Sequence, residues 1–158
     1  PMIREMRLAD CDAIAVIEEQ AFSTALDRGR LSALLNMTNF CGFVDDSNTS
    51  NTFNKIYRPR ELVGYLLAMM IVDEAEILSI AVSSDHQKCG RGSELLQYFL
   101  TYIATQGIKA ALLEVAADNV PALSLYNRLG FTEFGRRTAY YKRSDCRCDA
   151  IMMRRLCN

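Results

Sequence analysis

At 158 residues, 50% hydrophobic and 23% charged, with a formal net charge of −1, the chain has the composition of one globular domain spanning residues 1–158. So neutral a chain sets up no basic field for a nucleic-acid partner. The apolar run "LVGYLLAMMIV" stops at Asp73, well short of the roughly 20 residues that a membrane helix needs, and "PMIREMR" lacks the apolar region of a secretory signal. A cytoplasmic protein with no membrane partner is expected.

Cys11, Cys41, Cys89, Cys146, Cys148 and Cys157 form no C-x-x-C pair, and His86 is the single histidine. Scattered thiols without imidazoles are a poor zinc set, so no metal is expected and the cysteines read as reduced cytosolic thiols.

"LADCDAIAVIEEQAF" has helical spacing, with Ala13, Ile14, Ile17 and Ala21 on one face and Asp10 or Asp12 as cap. Glu18 and Glu19 read as part of its solvated face. "LSALLNM" continues as a shorter helix. "FCGFVDD" and "ELVGYLLAMMIV" read as strands, the second with a possible bulge at Gly64, and the polar stretch from Asp45 to Arg60 as a long loop between them. "EILSIAV" is the next strand. Leu95, Leu96, Phe99, Leu100 and Ile103 then recur at helical spacing up to Gly107. "AALLEVAA" is a further strand, so strand, helix and strand imply a right-handed parallel crossover. "DNVPALSLYNRLGF" is a compact helix capped by Asn119, with Pro121 in its first turn and Gly130 at its end. "FTEFGRRTAYY" and "CDAIMMRRL" close the chain as two strands joined by "KRSDCR". The fold class is mixed α/β with a partly parallel sheet.

Between strand and helix, "SSDHQKCGRGSELL" carries Gly90 and Gly92. Glycines there let successive backbone N–H groups point into one concavity at a helix N-terminus, a place suited to phosphate, with Lys88 and Arg91 adding charge. From spacing alone a plain strand-to-helix turn is an equal reading. A P-loop is excluded, because no Gly-Lys-Ser/Thr ends the loop.

"Gln87-Lys88-Cys89-Gly90-Arg91-Gly92" matches the Q/R-x-x-G-x-G/A loop, and "NVPALSLYNRLGF" the N-x-x-A-x-x-L-Y-x-x-L-G-F pattern, of the GCN5-related N-acetyltransferase (GNAT) superfamily. Together with "LLEVAADN", "RRTAYY" and "DAIMM", these make residues 74–156 resemble the RimI-type ribosomal-protein alanine N-acetyltransferases; the first seventy residues resemble them in element order. The resemblance implies a GNAT fold, a mixed central sheet flanked by helices, whose parallel pair splays at the acetyl-CoA site. The backbone of Ile80, Ala81 and Val82 would then pair with the pantetheine arm. Gln87 opens the loop, and the amides of Lys88, Cys89, Gly90, Arg91, Gly92 and Ser93 would hold the pyrophosphate, with Asn119 at the pantetheine end. Glu114 matches the general base, Tyr126 the general acid, and Tyr140 and Tyr141 the tyrosine pair near the acceptor groove.

The residues themselves bear on those roles. Glu114 stands in an otherwise apolar strand, where a charge is costly without a partner or a task; the plain alternative is a strand-end glutamate turned to solvent. Tyr126 can pack its ring in the core and keep its hydroxyl at a polar edge. Neighbours in a strand point to opposite faces, so at most one of Tyr140 and Tyr141 would reach the acceptor, and cross-strand packing is an equal reading. Cys89 as an acyl nucleophile is disfavoured, since no His–Asp relay accompanies it.

The resulting expectation is acetyl transfer from acetyl-CoA to a protein N-terminal α-amine, with alanine of a small-subunit ribosomal protein as acceptor. Two features leave the acceptor open: the stretch from Asp45 to Arg60, and "QAFSTALDRGR" where family members often carry a Pro-Trp pair. The alternatives are a GNAT enzyme for a small-molecule amine and a non-catalytic acyl-CoA-binding module.

Overall fold

In a computed structural model that describes residues 2–46 and 61–157, the elements follow the expected order. They are β1 (Ile3–Glu5), α1 (Cys11–Ala21), α2 (Arg28–Leu35), β2 (Phe40–Asp45), β3 (Gly64–Ile71), β4 (Glu74–Val82), α3 (Arg91–Thr105), β5 (Ala110–Ala116), α4 (Val120–Arg128), β6 (Thr132–Lys142) and β7 (Arg147–Leu156). The seven strands lie in the order β1-β2-β3-β4-β5-β7-β6, with β4 and β5 parallel, so the expected mixed sheet is present. Beyond Asp46, the loop read from Asp45 to Arg60 lies outside the described residues. The chain forms two compact units, Pro1–Met69 with Leu78–Phe99, and Met70–Ile77 with Leu100–Asn158.

In the first unit, β2 and β3 are buried almost throughout, because each contributes side chains to two cores. Val44, Tyr65 and Leu67 join Ile14 and Ile17 of α1 and Leu31 of α2. Phe43, the neighbour of Val44, points the other way, with its ring 6.4 Å from Phe99 and 5.3 Å from Tyr98 on α3. Alternation along the strand thus explains why a continuous apolar run was needed. Leu95, Leu96 and Phe99 are fully buried, each removal from water being worth about 1.5–3 kcal/mol.

Three local readings need correction here. Asp10 precedes α1 but makes no side-chain cap. Its buried carboxylate instead takes Arg4 bidentately at 2.8 and 2.9 Å and accepts from the Arg7 N–H at 2.7 Å. Gly64 is no bulge, since it pairs in register with Asp45. A Cβ there would lie 2.8 Å from the Ala81 carbonyl oxygen, so the glycine permits close approach of β4. Glu18 is not solvated: it is 2% exposed. It accepts hydrogen bonds from the Tyr65 hydroxyl, from Ser79 Oγ at 2.5 Å and from the Leu26 N–H at 3.1 Å. Glu19 does lie on the exposed face. α2 begins at Arg28, earlier than its apolar residues suggest, because Asp27 caps it by accepting from the Arg30 N–H at 2.8 Å.

In the second unit, β5 runs antiparallel to β7 from the pair Ala110–Leu156 to the pair Ala116–Ala150. The parallel ladder with β4 joins Glu74, Ala75 and Glu76 to Ala110, Ala111 and Leu112. Asn119 caps α4 by accepting from the Ala122 N–H at 3.3 Å, and Pro121 occupies the first turn. Gly107 and Gly130 follow α3 and α4 with φ of +76° and +85°, the left-handed stop expected of glycine. The β6–β7 ladder is interrupted between Arg137 and Tyr141, where Ala139 takes φ +52°.

Candidate active site

The glycine loop leaves β4 through a short turn at Ser84–His86. Gln87 Nε2 donates to the Val82 carbonyl at 3.1 Å, and Ser83 Oγ lies 2.9 Å from His86 Nδ1, so the loop is fastened at its root. Lys88 and Gly90 both turn left-handed, at φ +60° and +82°. The strain at Lys88 is what an amide-presenting loop requires, and Gly90 meets it without cost. Gln87 to Gly90 are exposed, and nothing lies within 4 Å of where a Gly90 Cβ would be. The Gly90 carbonyl accepts from Glu94 N–H at 3.1 Å, which starts α3 directly after the loop. Backbone donors therefore face open space at the N-terminus of a 15-residue helix, an arrangement that fits a diphosphate.

One charge expected beside the loop is already engaged. The Arg91 guanidinium lies 3.2 Å from Glu94 Oε2 and 3.7 Å from Asp45 Oδ2. Two carboxylates hold that side chain, which leaves Lys88 and the main chain as the loop's positive surface. Ile80, Ala81 and Val82 are half-buried at the end of β4. Cys89 is an exposed free thiol whose nearest recorded partner is the Gln87 carbonyl at 3.4 Å.

The second unit gathers four polar side chains. β5 alternates Leu113 and Val115 into the core with Glu114 on the less buried face. Glu114 Oε2 pairs with Arg137 Nε at 3.2 Å, and its charge acts on the Tyr141 phenol. Arg137 also stacks over the Tyr140 ring, 5.2 Å from its centre. Glu114 thus has a cation partner, with its own side chain 24% exposed. Of the tyrosine pair, Tyr141 feels the Glu114 charge, while Tyr140 is half exposed. The two rings meet edge to face at 5.2 Å. Burial first, then the Glu114 charge, raises the Tyr141 phenol above its ordinary value.

Tyr126 packs its ring 5.8 Å from Phe131 and is 6% exposed. Burial chiefly, with Tyr141 as a second cause, pushes its phenol up to about 12. It is therefore a protonated donor at neutral pH. Asn119 spends its Oδ1 on the helix cap. Among the described residues no cluster of three or more His, Cys, Asp or Glu side chains is placed to hold a metal ion. None of the described helices is long and apolar enough to cross a membrane.

The first unit thus brings together Ile80 to Val82 and Gln87 to Ser93, and the second brings Arg137 to Glu114 and Tyr140 to Arg137, with Tyr126 packed against Phe131. Arg137 escapes sequence reasoning. Its signal lies in "RRTAYY", where either arginine can face the carboxylate until the register is known.

The acetyltransferase (GNAT) family model matches residues 13–131 of this chain. The [ribosomal protein bS18]-alanine N-acetyltransferase of Escherichia coli is 37% identical over 93 residues, which are 59% of this chain and 63% of that protein. The match therefore spans less than two thirds of that relative. Its counterpart in Salmonella typhimurium is 34% identical over 99 residues, 63% of this chain and 67% of that protein. The crystal structure of the ribosomal-protein-S18-alanine N-acetyltransferase from Escherichia coli aligns with a TM-score of 0.84 at 27% identity, covering 99% of this chain and 94% of the other. Arabidopsis thaliana NAA60 in complex with a bisubstrate analogue also reaches 0.84, covering 98% and 97%, and at 18% identity this is a likeness of fold.

Proposed function

The chain belongs to the acetyltransferase (GNAT) family, and from that premise we propose that it moves the acetyl group of acetyl-CoA to the α-amine of a protein N-terminus. The leading acceptor is an alanine of a small-subunit ribosomal protein, by analogy with the names of the E. coli and Salmonella relatives. The main-chain amides of residues 88–93, with Gln87 at the root, hold the diphosphate. The strand edge at Ile80, Ala81 and Val82 pairs with the pantetheine arm, and the Asn119 side chain meets its far end.

In the transfer itself, Glu114 takes one proton from the incoming ammonium and leaves a neutral amine. The amine nitrogen bonds to the thioester carbonyl carbon, and the C–S bond breaks. Tyr126 gives its proton to the departing thiolate, while the nitrogen gives up its second proton, through solvent, to the Tyr126 phenolate, so the products are the amide, the thiol and the one proton held by Glu114. An α-amine with pKa near 8 is about one-tenth neutral at pH 7, whereas a lysine near 10.4 is neutral in about one molecule in 2,500. One carboxylate is therefore sufficient help for an N-terminal amine, and a lysine side chain would need about 3 kcal/mol more. The observation that supports this reading is Glu114, paired with Arg137 in an otherwise apolar strand.

Incubation with acetyl-CoA and a peptide beginning Ala-Arg tests it by mass spectrometry. A gain of one acetyl group at the peptide's N-terminus is expected. Turnover of polyamines or aminoglycosides with no mass gain on the peptide would transfer the site to small amines, and tight acetyl-CoA binding without turnover of any amine would make the chain a binding module.

A further inference from the structure

We propose that Asp149 is a positioning residue, shaping a bulge in β6 that brings Tyr140 and Tyr141 beside the Arg137–Glu114 ion pair. The proposal rests on the reading of Glu114 as the base.

Arg137 pairs with Ala150, and the next recorded pair is Tyr141 with Cys148, so β6 advances four residues where β7 advances two. Two extra residues are stored in β6. In an uninterrupted ladder Ala139 would stand opposite Cys148, and Tyr141 would lie two positions further on. At about 3.3 Å per residue, its ring would move some 7 Å along the strand, away from the Arg137–Glu114 pair. An even insertion also keeps parity, so Tyr141 stays on the face that Arg137 occupies.

The bulge has a cost and a visible support. Ala139 carries a Cβ at φ +52°, a conformation that L-residues other than glycine, asparagine and aspartate rarely hold unaided. Its N–H has left the ladder and donates to Asp149 Oδ1 at 2.8 Å, and its carbonyl accepts from Arg147 Nη1 at 3.3 Å. The second Asp149 oxygen lies 3.8 Å from Arg136 Nη1. The Asp149 main-chain carbonyl accepts from the Ala117 N–H at 2.9 Å, three residues past Glu114. One residue thus fastens the exit of β5 by its backbone and the bulge by its side chain. Bulges of this kind re-aim side chains near functional sites.

The test compares Asp149→Ala, Asp149→Asn and Asp149→Ala with Ala139→Gly. Asparagine keeps an oxygen to accept from Ala139, and glycine removes the conformational cost, so both should work where Asp149→Ala alone does not. Asp149→Ala should lower kcat with the Ala-Arg peptide about 10- to 100-fold while the KM for acetyl-CoA stays within about twofold. Adding Ala139→Gly should recover at least about fivefold, and Asp149→Asn should stay within about fivefold of wild type. ¹³Cζ-tyrosine NMR, with Tyr141 assigned through Tyr141→Phe, reads the same geometry without any acceptor. In Asp149→Ala its phenol should titrate at lower pH than in wild type, and return with Ala139→Gly. A Tyr141 titration indifferent to Asp149→Ala would overturn the proposal, as would a normal kcat despite a shifted titration. A shifted titration in a protein that acetylates no peptide would leave the bulge standing and remove the acceptor assignment alone.

Discussion

Arg137 Nε lies 3.2 Å from Glu114 Oε2, so the carboxylate proposed to take the substrate proton rests against a cation of its own chain. The pair is more than half exposed on the arginine side, and exposed pairs contribute at most about 1 kcal/mol to stability. Its consequence is orientation, since Arg137 on β6 holds one carboxylate oxygen of Glu114.

Arg137→Ala should therefore leave the thermal midpoint nearly unchanged, a loss of about 1 kcal/mol or less. Turnover should fall about tenfold, because a carboxylate without its cation partner samples unproductive rotamers. Steady-state kinetics beside a melting curve separates the two effects. An unaltered rate would make the pair ornamental.

Tyr126 ties function to alkaline stability. Its folded phenol is raised to about 12 from an ordinary value of 10.0, mainly by burial. Between those values the unfolded chain has lost the proton and the folded chain has kept it, so stability is full below pH 10 and declines as pH rises through that window. Two units correspond to roughly 2–3 kcal/mol. Tyr126→Phe should flatten this part of the decline in urea titrations at pH 9 to 12, and lower turnover at neutral pH by about 10²-fold. A pH dependence of stability identical to wild type would contradict the burial argument.

Glu18 is expected to matter for stability although it lies outside the proposed chemistry. Removing its carboxyl group leaves the buried Tyr65 hydroxyl and Ser79 Oγ, 3.0 Å apart, without their shared acceptor and strips the Leu26 N–H of its own. Glu18→Ala should cost about 2–4 kcal/mol, and Tyr65→Phe about 1–2 kcal/mol, by denaturant unfolding. The paired changes should cost less than the sum, since they share one network. Strict additivity would show that the groups do not act together.

What the sequence disclosed follows from the range of the forces involved. α3, β5 and α4 were legible because their signals are local: leucines at helical spacing, an apolar strand, Asn119 and Pro121 before a helix and Gly130 after it. Glu114 and Tyr126 could be singled out because their motif neighbours lie within a few residues. Glu18 was misread as solvated because its hydroxyl partners, Tyr65 and Ser79, stand 47 and 61 positions away. Asp10 read as a helix cap, but the guanidinium of Arg4 is a stronger partner for a buried carboxylate than an amide is. Gly64 read as a bulge, whereas the requirement is set by the backbone of Ala81. β6 shifts register twice, beside Gly135 and around Ala139; the second has no glycine to announce it, and its support from Asp149 lies on the next strand.

The claim on which the chemistry depends is that Glu114 takes a proton from the acceptor amine. Glu114→Gln preserves shape and removes the base, and its turnover with acetyl-CoA and an Ala-Arg peptide, measured beside calorimetric acetyl-CoA affinity, tests this directly. The expected result is a fall of about 10²- to 10⁴-fold in kcat with affinity changed less than about twofold. A rate equal to wild type at unchanged affinity would contradict it.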